Sequence, residues 1–132
     1  MKKCYVVNES TFWLTKIEAS ENLKHFLNLV NRAVYGKSGV RKKYRVNCLP
    51  ALEDYNVRPH YHLCLDKPER MTMEQFTLII HQSWSKTYFG FKEIDVKICD
   101  GGWIGYMTKY KTKENFADSI DWLNYHNSER AV

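Results

Sequence analysis

Apolar residues recur along this chain with two spacings, every second residue in some segments and every third or fourth in others. The first spacing is typical of strands and the second of helices. The spacing of every second residue predicts an edge strand over Met1–Asn8 and a first central strand over Thr11–Ile17. Three further strands are expected, over Tyr44–Leu52, after a turn at residues 54–59, and over Phe91–Cys99.

Helical spacing predicts a helix from Ser20 to about Tyr35, with a buried stripe at Leu23, Phe26, Leu27, Val30 and Val34. Thr72 and Gln75 match a capping box, which predicts a second helix that ends at a glycine, residue 90. Its buried stripe is expected at Phe76, Ile79, Ile80, Trp84 and Tyr88. A third helix follows the glycine pair at residues 101–102, and Phe116–Tyr125 predicts a short amphipathic helix that covers a sheet edge.

The order of these elements is strand-helix-strand-strand-helix-strand-helix, which is the split βαβ pattern of ferredoxin-like folds. We therefore expect an α+β fold, with an antiparallel sheet of about five strands and helices packed on one face. The other face is left for a site. The chain has no internal repeat and no linker, so residues 1–132 are expected to form a single domain.

Charge and composition favour an anionic partner. The formal net charge is +5, and nine tyrosines and four tryptophans supply rings on which bases stack. The four cysteines form no C-x-x-C pair, which argues against a zinc knuckle or a redox motif. The sequence carries no signal peptide and no membrane-length apolar run, so we expect a cytoplasmic protein without a membrane partner.

Two histidines, His60 and His62, are separated by one residue in the segment RPHYHLCLD. Side chains two apart on a strand point to the same face, so both imidazoles can converge on one divalent metal ion. Tyr61, Leu63 and Leu65 then point into a core on the opposite face. A strand that merely alternates polar and apolar residues remains the alternative for this segment taken by itself.

The unit Tyr-x-x-Lys occurs twice, at Tyr106–Lys109 and at Tyr110–Lys113. Residues four apart share a face of a helix, so both tyrosines are expected to point the same way. A tyrosine is a covalent nucleophile when its phenol loses its proton, and a neighbouring lysine stabilises the phenolate. A basic amphipathic helix with two packing tyrosines is the alternative.

Taken together and in order, three motifs resemble those of the HUH endonuclease superfamily, specifically the rolling-circle replication initiators (Rep proteins) of phages, plasmids and small single-stranded DNA viruses. Phe12–Thr15 is similar to the first motif, Pro59–Leu63 to the histidine-hydrophobe-histidine motif, and the tyrosine-lysine units to the third. The resemblance covers nearly the whole chain. It implies an endonuclease that nicks and joins single-stranded DNA at a replication origin, with Mg²⁺ or Mn²⁺ as cofactor and a 5′-phosphotyrosyl intermediate.

The resemblance also implies residue roles. The metal ligands are expected to be His60 and His62, with Glu53 as third ligand and Asp54 behind it. Tyr106 is the expected nucleophile with Lys109 as its partner, and Tyr110 with Lys113 forms the second unit. Expected DNA contacts are Lys42, Lys43, Arg45 and Arg58 to phosphates and Trp13 to a base, and weaker candidates are Lys2, Lys3, Arg41 and Trp103.

Two other functions compete with the initiator. A single-tyrosine HUH transposase has a similar site but acts on transposon ends. A non-catalytic single-strand-binding module of RRM-like shape needs aromatic residues on the sheet face and no histidine pair. No nucleotide-binding G-x-x-x-x-G-K-[ST] loop is present, and the length leaves no room for a motor domain. An initiator of this kind would depend on a host or separate helicase, in the cytoplasm of the host cell if the source is viral.

Overall fold

The computed structural model describes residues 2–8, 16–54, 59–88, 94–99 and 120–128. Within these ranges the chain forms four strands and two helices. In chain order they are β1 (Lys2–Asn8), α1 (Lys16–Arg41), β2 (Cys48–Asp54), β3 (Pro59–Asp66), α2 (Met73–Ser85) and β4 (Ile94–Cys99). The predicted α+β class and the antiparallel sheet are confirmed, and none of the described helices is long and apolar enough to cross a membrane.

The four described strands form one sheet in the order β2-β3-β1-β4, and every neighbouring pair is antiparallel. β1 therefore lies in the middle of the sheet, and its prediction as an edge strand was wrong. Its apolar run Cys4–Val7 is typical of a strand with neighbours on both sides. The predicted central strand over Thr11–Ile17 is wrong at its end, where α1 begins at Lys16, and residues 11–15 lie outside the described ranges.

Two glycines shape the end of α1, which continues past its predicted end at Tyr35. Gly36 has φ 70° and ψ 177°, so helical geometry is interrupted there before the chain resumes a helical course to Arg41. A positive φ of this size favours glycine. At Gly39 a Cβ would lie 2.6 Å from the Cβ of Tyr35, so the close approach of these two residues also requires glycine.

The core lies between the two helices and one face of the sheet. The predicted stripe of α1 is buried in full, and Phe76, Ile80 and Trp84 of α2 are buried against it. The rings of Phe26 and Trp84 meet edge to face, with centroids 5.6 Å apart. Tyr88 is 86% exposed, so its place in the predicted stripe was wrong, because α2 ends at Ser85 and the hydroxyl of Thr87 donates to the carbonyl of Trp84.

The predicted capping box of α2 is present. The Thr72 hydroxyl accepts from the Gln75 amide at 3.1 Å, and the Gln75 side-chain oxygen accepts from the Thr72 amide at 3.0 Å. These bonds satisfy two amide groups, which have no partner within the helix.

We expect Thr72→Ala to lower the free energy of unfolding by about 1 kcal/mol, because the amide of Gln75 loses its acceptor. Urea unfolding measures this change. Gln82→Ala, on the exposed side of the same helix, is the control and should change stability by less than about 0.5 kcal/mol. Equal stabilities of the two variants would show that the cap contributes nothing.

Residues 120–128 follow the free edge of β2. Ile120 forms a bridge with Ala51, and His126 forms one with Cys48, where the two backbones exchange hydrogen bonds of 2.8 and 3.0 Å. The prediction that this segment covers an edge is confirmed, but the predicted helix is wrong over residues 120–125. An edge strand presents unpaired amide and carbonyl groups, and an extended segment satisfies them where a helix does not.

Candidate functional site

The histidine motif lies on β3, whose side chains alternate between the two faces of the sheet. Tyr61, Leu63 and Leu65 are buried in the core against the helices. His60 and His62 therefore occupy positions on the opposite face, which we call the site face. The side chain of His62 is half-buried. This alternation agrees with the sequence prediction for the strand.

The register of the sheet places two oxygen-bearing residues next to His60 on the site face. Glu53 of β2 pairs with His60 on one side, and Asn8 of β1 pairs with His60 on the other. Directly paired residues of antiparallel strands share a face, with Cβ atoms about 4.5–5.5 Å apart. Asp54 pairs with Pro59 and so occupies the helix face, which favours Glu53 over Asp54 as the third ligand.

Asn8 was not among the ligands expected from the sequence, although an amide oxygen is a suitable ligand for a divalent metal. The signal was present in the sequence, at the end of the apolar run of β1. It was missed because that strand was expected at the edge of the sheet, away from His60. Asp95 of β4 was also missed. It pairs with Val6, which in turn pairs with His62, so Asp95 lies on the site face two strands away.

The donor set at these positions is two imidazoles, a carboxylate and an amide. This set suits a divalent ion that keeps open positions for substrate oxygens. Among the described side chains, which exclude those of Asn8, Glu53 and His60, no group of three His, Cys, Asp or Glu residues is arranged to hold a metal ion. The fit of a metal therefore depends on the backbone register and on the chemistry of the donors.

Tyr61 lies on the face of β3 opposite the two histidine positions, where it holds the strand by a hydrogen bond to the C-terminal segment. Its hydroxyl donates to a carboxylate oxygen of Asp121 at 2.8 Å, and the Asn124 amide donates to the same oxygen at 2.8 Å. The Asn124 amide also donates to the carbonyl of Ser20 in α1 at 2.9 Å. Burial and the charge of Asp121 raise the pKa of Tyr61 well above its usual value, so this phenol stays protonated and is a structural group rather than a nucleophile.

Asp121→Ala is expected to lower the free energy of unfolding by about 1–3 kcal/mol, because the buried Tyr61 hydroxyl loses its acceptor. Tyr61→Phe should restore part of the loss in the Asp121→Ala background, since it removes the unpaired hydroxyl. Denaturant unfolding of both single variants and the double variant measures this coupling. Strictly additive losses would show that the hydrogen bond does not stabilise the fold.

Three of the four predicted phosphate contacts lie away from the histidines. Lys42, Lys43 and Arg45 are exposed in the segment between α1 and β2. They precede Cys48, which lies at the end of β2 away from Glu53, about 17 Å along the strand. Arg58 and Trp13 lie outside the described residues.

The tyrosine motif, with Tyr106, Lys109, Tyr110 and Lys113, lies outside the described residues, so its relation to the histidines remains a prediction. Cys99 is the last described residue before it and Ile120 the first after it. Ile120 bridges to Ala51, and Ala51 pairs with His62. The described chain after the motif therefore resumes beside β2, which separates it from the histidine strand.

Comparisons of this chain with protein-family models, with curated proteins and with solved structures found no match. A functional assignment therefore depends on the order of the motifs along the sequence and on the register of the sheet.

Proposed function

We propose that this chain is a metal-dependent HUH endonuclease that nicks and joins single-stranded DNA to initiate rolling-circle replication. The observation that carries the proposal is the register of β2, β3 and β1. It places Glu53 and Asn8 on either side of His60, with His62 two residues along on the same face. The strand order β2-β3-β1-β4 also fits the ferredoxin-like arrangement expected for this superfamily.

In this proposal His60, His62 and Glu53 hold Mg²⁺ or Mn²⁺, with Asn8 as an additional oxygen donor. The bound ion would withdraw charge from the phosphate that is to be cut. The phenolic oxygen of Tyr106 forms a bond to phosphorus, and the bond from phosphorus to the 3′ oxygen breaks. The phenol gives up its proton and the departing 3′ oxygen takes one up, which leaves a 5′-phosphotyrosyl enzyme and a free 3′-hydroxyl. Joining is the reverse transfer.

The non-catalytic alternative fits the sheet less well. A module that stacks bases on an open sheet needs aromatic side chains on that face. The positions that the four described strands place on the site face contain no aromatic residue. Leu49, Ala51 and Cys64 on this face are moreover buried. The repeated tyrosine-lysine unit favours the initiator over a single-tyrosine transposase, because a second tyrosine allows a second transfer while the first is still linked to DNA.

The test is covalent capture. The purified chain is incubated with a pool of single-stranded DNA labelled at the 3′ end, which stays with the fragment that is joined to the tyrosine. The incubations contain Mn²⁺, Mg²⁺ or EDTA, and the products are separated on a denaturing gel. We expect a labelled protein-DNA adduct and a free 3′-hydroxyl end with either metal. Neither product is expected in EDTA. An adduct of equal yield in EDTA would refute the metal site, and binding without any adduct would favour the non-catalytic module.

We also expect this chain neither to hydrolyse ATP nor to unwind duplex DNA. Gly36, Lys37 and Ser38 match only the end of a phosphate-binding loop, and they lie within α1 rather than between a strand and a helix. Phosphate release in the presence of single-stranded DNA measures this, with a known helicase as positive control. ATP-driven strand separation by the purified chain would contradict the expectation.

A further inference from the structure

A polar cavity lies at the end of β2 away from Glu53. Its volume is about 80 Å³, and it opens between α1, the start of β2 and the C-terminal segment. It is lined mainly by polar residues: Lys24, Asn28, Asn31, Arg45, Asn124 and His126. The proposed metal site does not include any of them.

Among the residues that the structure describes, the lining is basic and contains no carboxylate. Lys24 and Arg45 are exposed cations. The carboxylate of Asp121, in the C-terminal segment beside the cavity, is hydrogen-bonded to Tyr61 and Asn124. Burial and the neighbouring Arg45 lower the pKa of His126, so at neutral pH its ring is uncharged and offers one donor and one acceptor. The amide of Asn31 is held in place because its oxygen accepts from the Val46 amide at 2.7 Å. The cavity is therefore complementary to an anion.

An exposed aromatic pair borders this cavity. The rings of Trp122 and Tyr125 meet edge to face with centroids 5.5 Å apart, and Tyr125 also lines the cavity. Trp122 is 59% exposed, and Leu123 beside it is 90% exposed. A contiguous exposed apolar patch is one of the marks of a binding site. Leu123 and Tyr125 share this cavity with Lys24 and Arg45. Aromatic rings next to cations are the combination that single-strand-binding surfaces use for bases and phosphates.

We propose that Trp122, Tyr125, Lys24 and Arg45 form a second binding site for single-stranded nucleic acid, which we call the edge site. A backbone phosphate lies between Lys24 and Arg45, and a base stacks on Trp122. The proposal rests on single-stranded DNA being the ligand of this chain, as in the proposed function. Because the edge site lies at the other end of β2 from Glu53, it holds a flanking part of the strand and does not take part in the chemistry.

Binding of fluorescent oligothymidylate in EDTA, where no nicking is expected, tests the edge site. Trp122→Ala should weaken binding about tenfold, as expected for the loss of one stacked base, while Trp122→Phe keeps most of the affinity. Arg45→Glu should weaken binding and lower the slope of log affinity against log salt by about 0.7. Tyr88→Ala and Lys86→Glu alter exposed residues of the same kinds outside the cavity and should bind like the wild type.

Thermal unfolding followed by circular dichroism verifies that each variant is folded, which is expected since Trp122 and Arg45 are exposed. Unchanged binding by folded Trp122→Ala and Arg45→Glu would overturn the edge site, even if the chain nicks DNA. Loss of binding in these variants would support it, even if the wild type forms no covalent adduct. If Trp122→Ala instead alters only the sedimentation of the protein, the surface is an interface between copies of the chain and the proposal is wrong.

Discussion

Alanine in place of His60 or His62 is expected to abolish metal-dependent nicking and to leave most of the affinity for single-stranded DNA. Each substitution removes one imidazole donor of the proposed metal site, and the remaining donors are too few to hold the ion in place. Loss of a residue that only supports a metal ligand already lowers affinity or activity about 10–100-fold, so loss of a ligand should exceed that range. Phosphate contacts made elsewhere dominate DNA affinity, which is why binding should persist.

The two carboxylates of β2 supply a matched pair for this experiment. Glu53 is placed on the site face opposite His60, whereas Asp54, the next residue, is placed on the helix face opposite Pro59. We expect Glu53→Ala to reduce nicking strongly, Asn8→Ala to reduce it less, and Asp54→Ala to leave it unchanged. Calorimetric titration with Mn²⁺ measures the ion directly and should follow the same order. Nicking at the wild-type rate by His60→Ala, or a larger loss in Asp54→Ala than in Glu53→Ala, would contradict the metal assignment.

Tyr106→Phe is expected to lose the covalent protein-DNA adduct, and Tyr110→Phe is expected to retain it at a reduced rate. Phenylalanine keeps the ring and removes the attacking oxygen, so the substitution separates chemistry from packing. The preference for Tyr106 comes from its place in the sequence, directly after the glycine turn and Trp103–Ile104, because a nucleophile needs a firmly held position. Tyr110 lies four residues further on and matches the motif equally well.

Denaturing gels of the two single variants and the double variant measure the outcome. The reverse pattern would exchange the roles of the two tyrosines. Full adduct formation by either single variant, with none from the double variant, would make the chain an initiator that uses both tyrosines. An adduct in the double variant would exclude both residues as nucleophiles. Binding in EDTA is the control, since neither substitution changes the charge of the chain.

Local sequence patterns were sufficient to predict an element where that element is specified by its own residues. The histidine strand was expected from the alternation of His60 and His62 with Tyr61 and Leu63, and β3 matches it. The capping box at Thr72 likewise depends on residues three apart, and both of its hydrogen bonds are present. Such features need no information about the rest of the fold, because the interacting groups are neighbours in the chain.

The neighbours of β1 in the sheet were not specified locally, although its apolar run is compatible with a central strand. The residues Lys2–Asn8 do not by themselves determine which strands lie on either side of β1, because pairing depends on side-chain fit with residues far away in the sequence. The error also hid Asn8, whose place beside His60 follows only from the strand order. The helix predicted for the C-terminal segment was wrong for a related reason. Its amphipathic spacing is compatible with a helix, but the unpaired edge of β2 favours extended backbone at Ile120 and His126.

The central place of β1 also governs the order in which the fold can be completed. Cys4 pairs with Cys64 on one side and with Lys97 on the other. β1 can therefore complete its pairing only after residues that are synthesised much later. Pairings between residues so distant in the sequence slow folding, because the loops between them must close first. Until β4 arrives, one edge of β1 has no neighbour, and its apolar run Cys4–Val7 is open to pairing with other chains. A nascent or truncated chain that ends before Ile94 is therefore expected to aggregate even though the histidine strand and both described helices are already present.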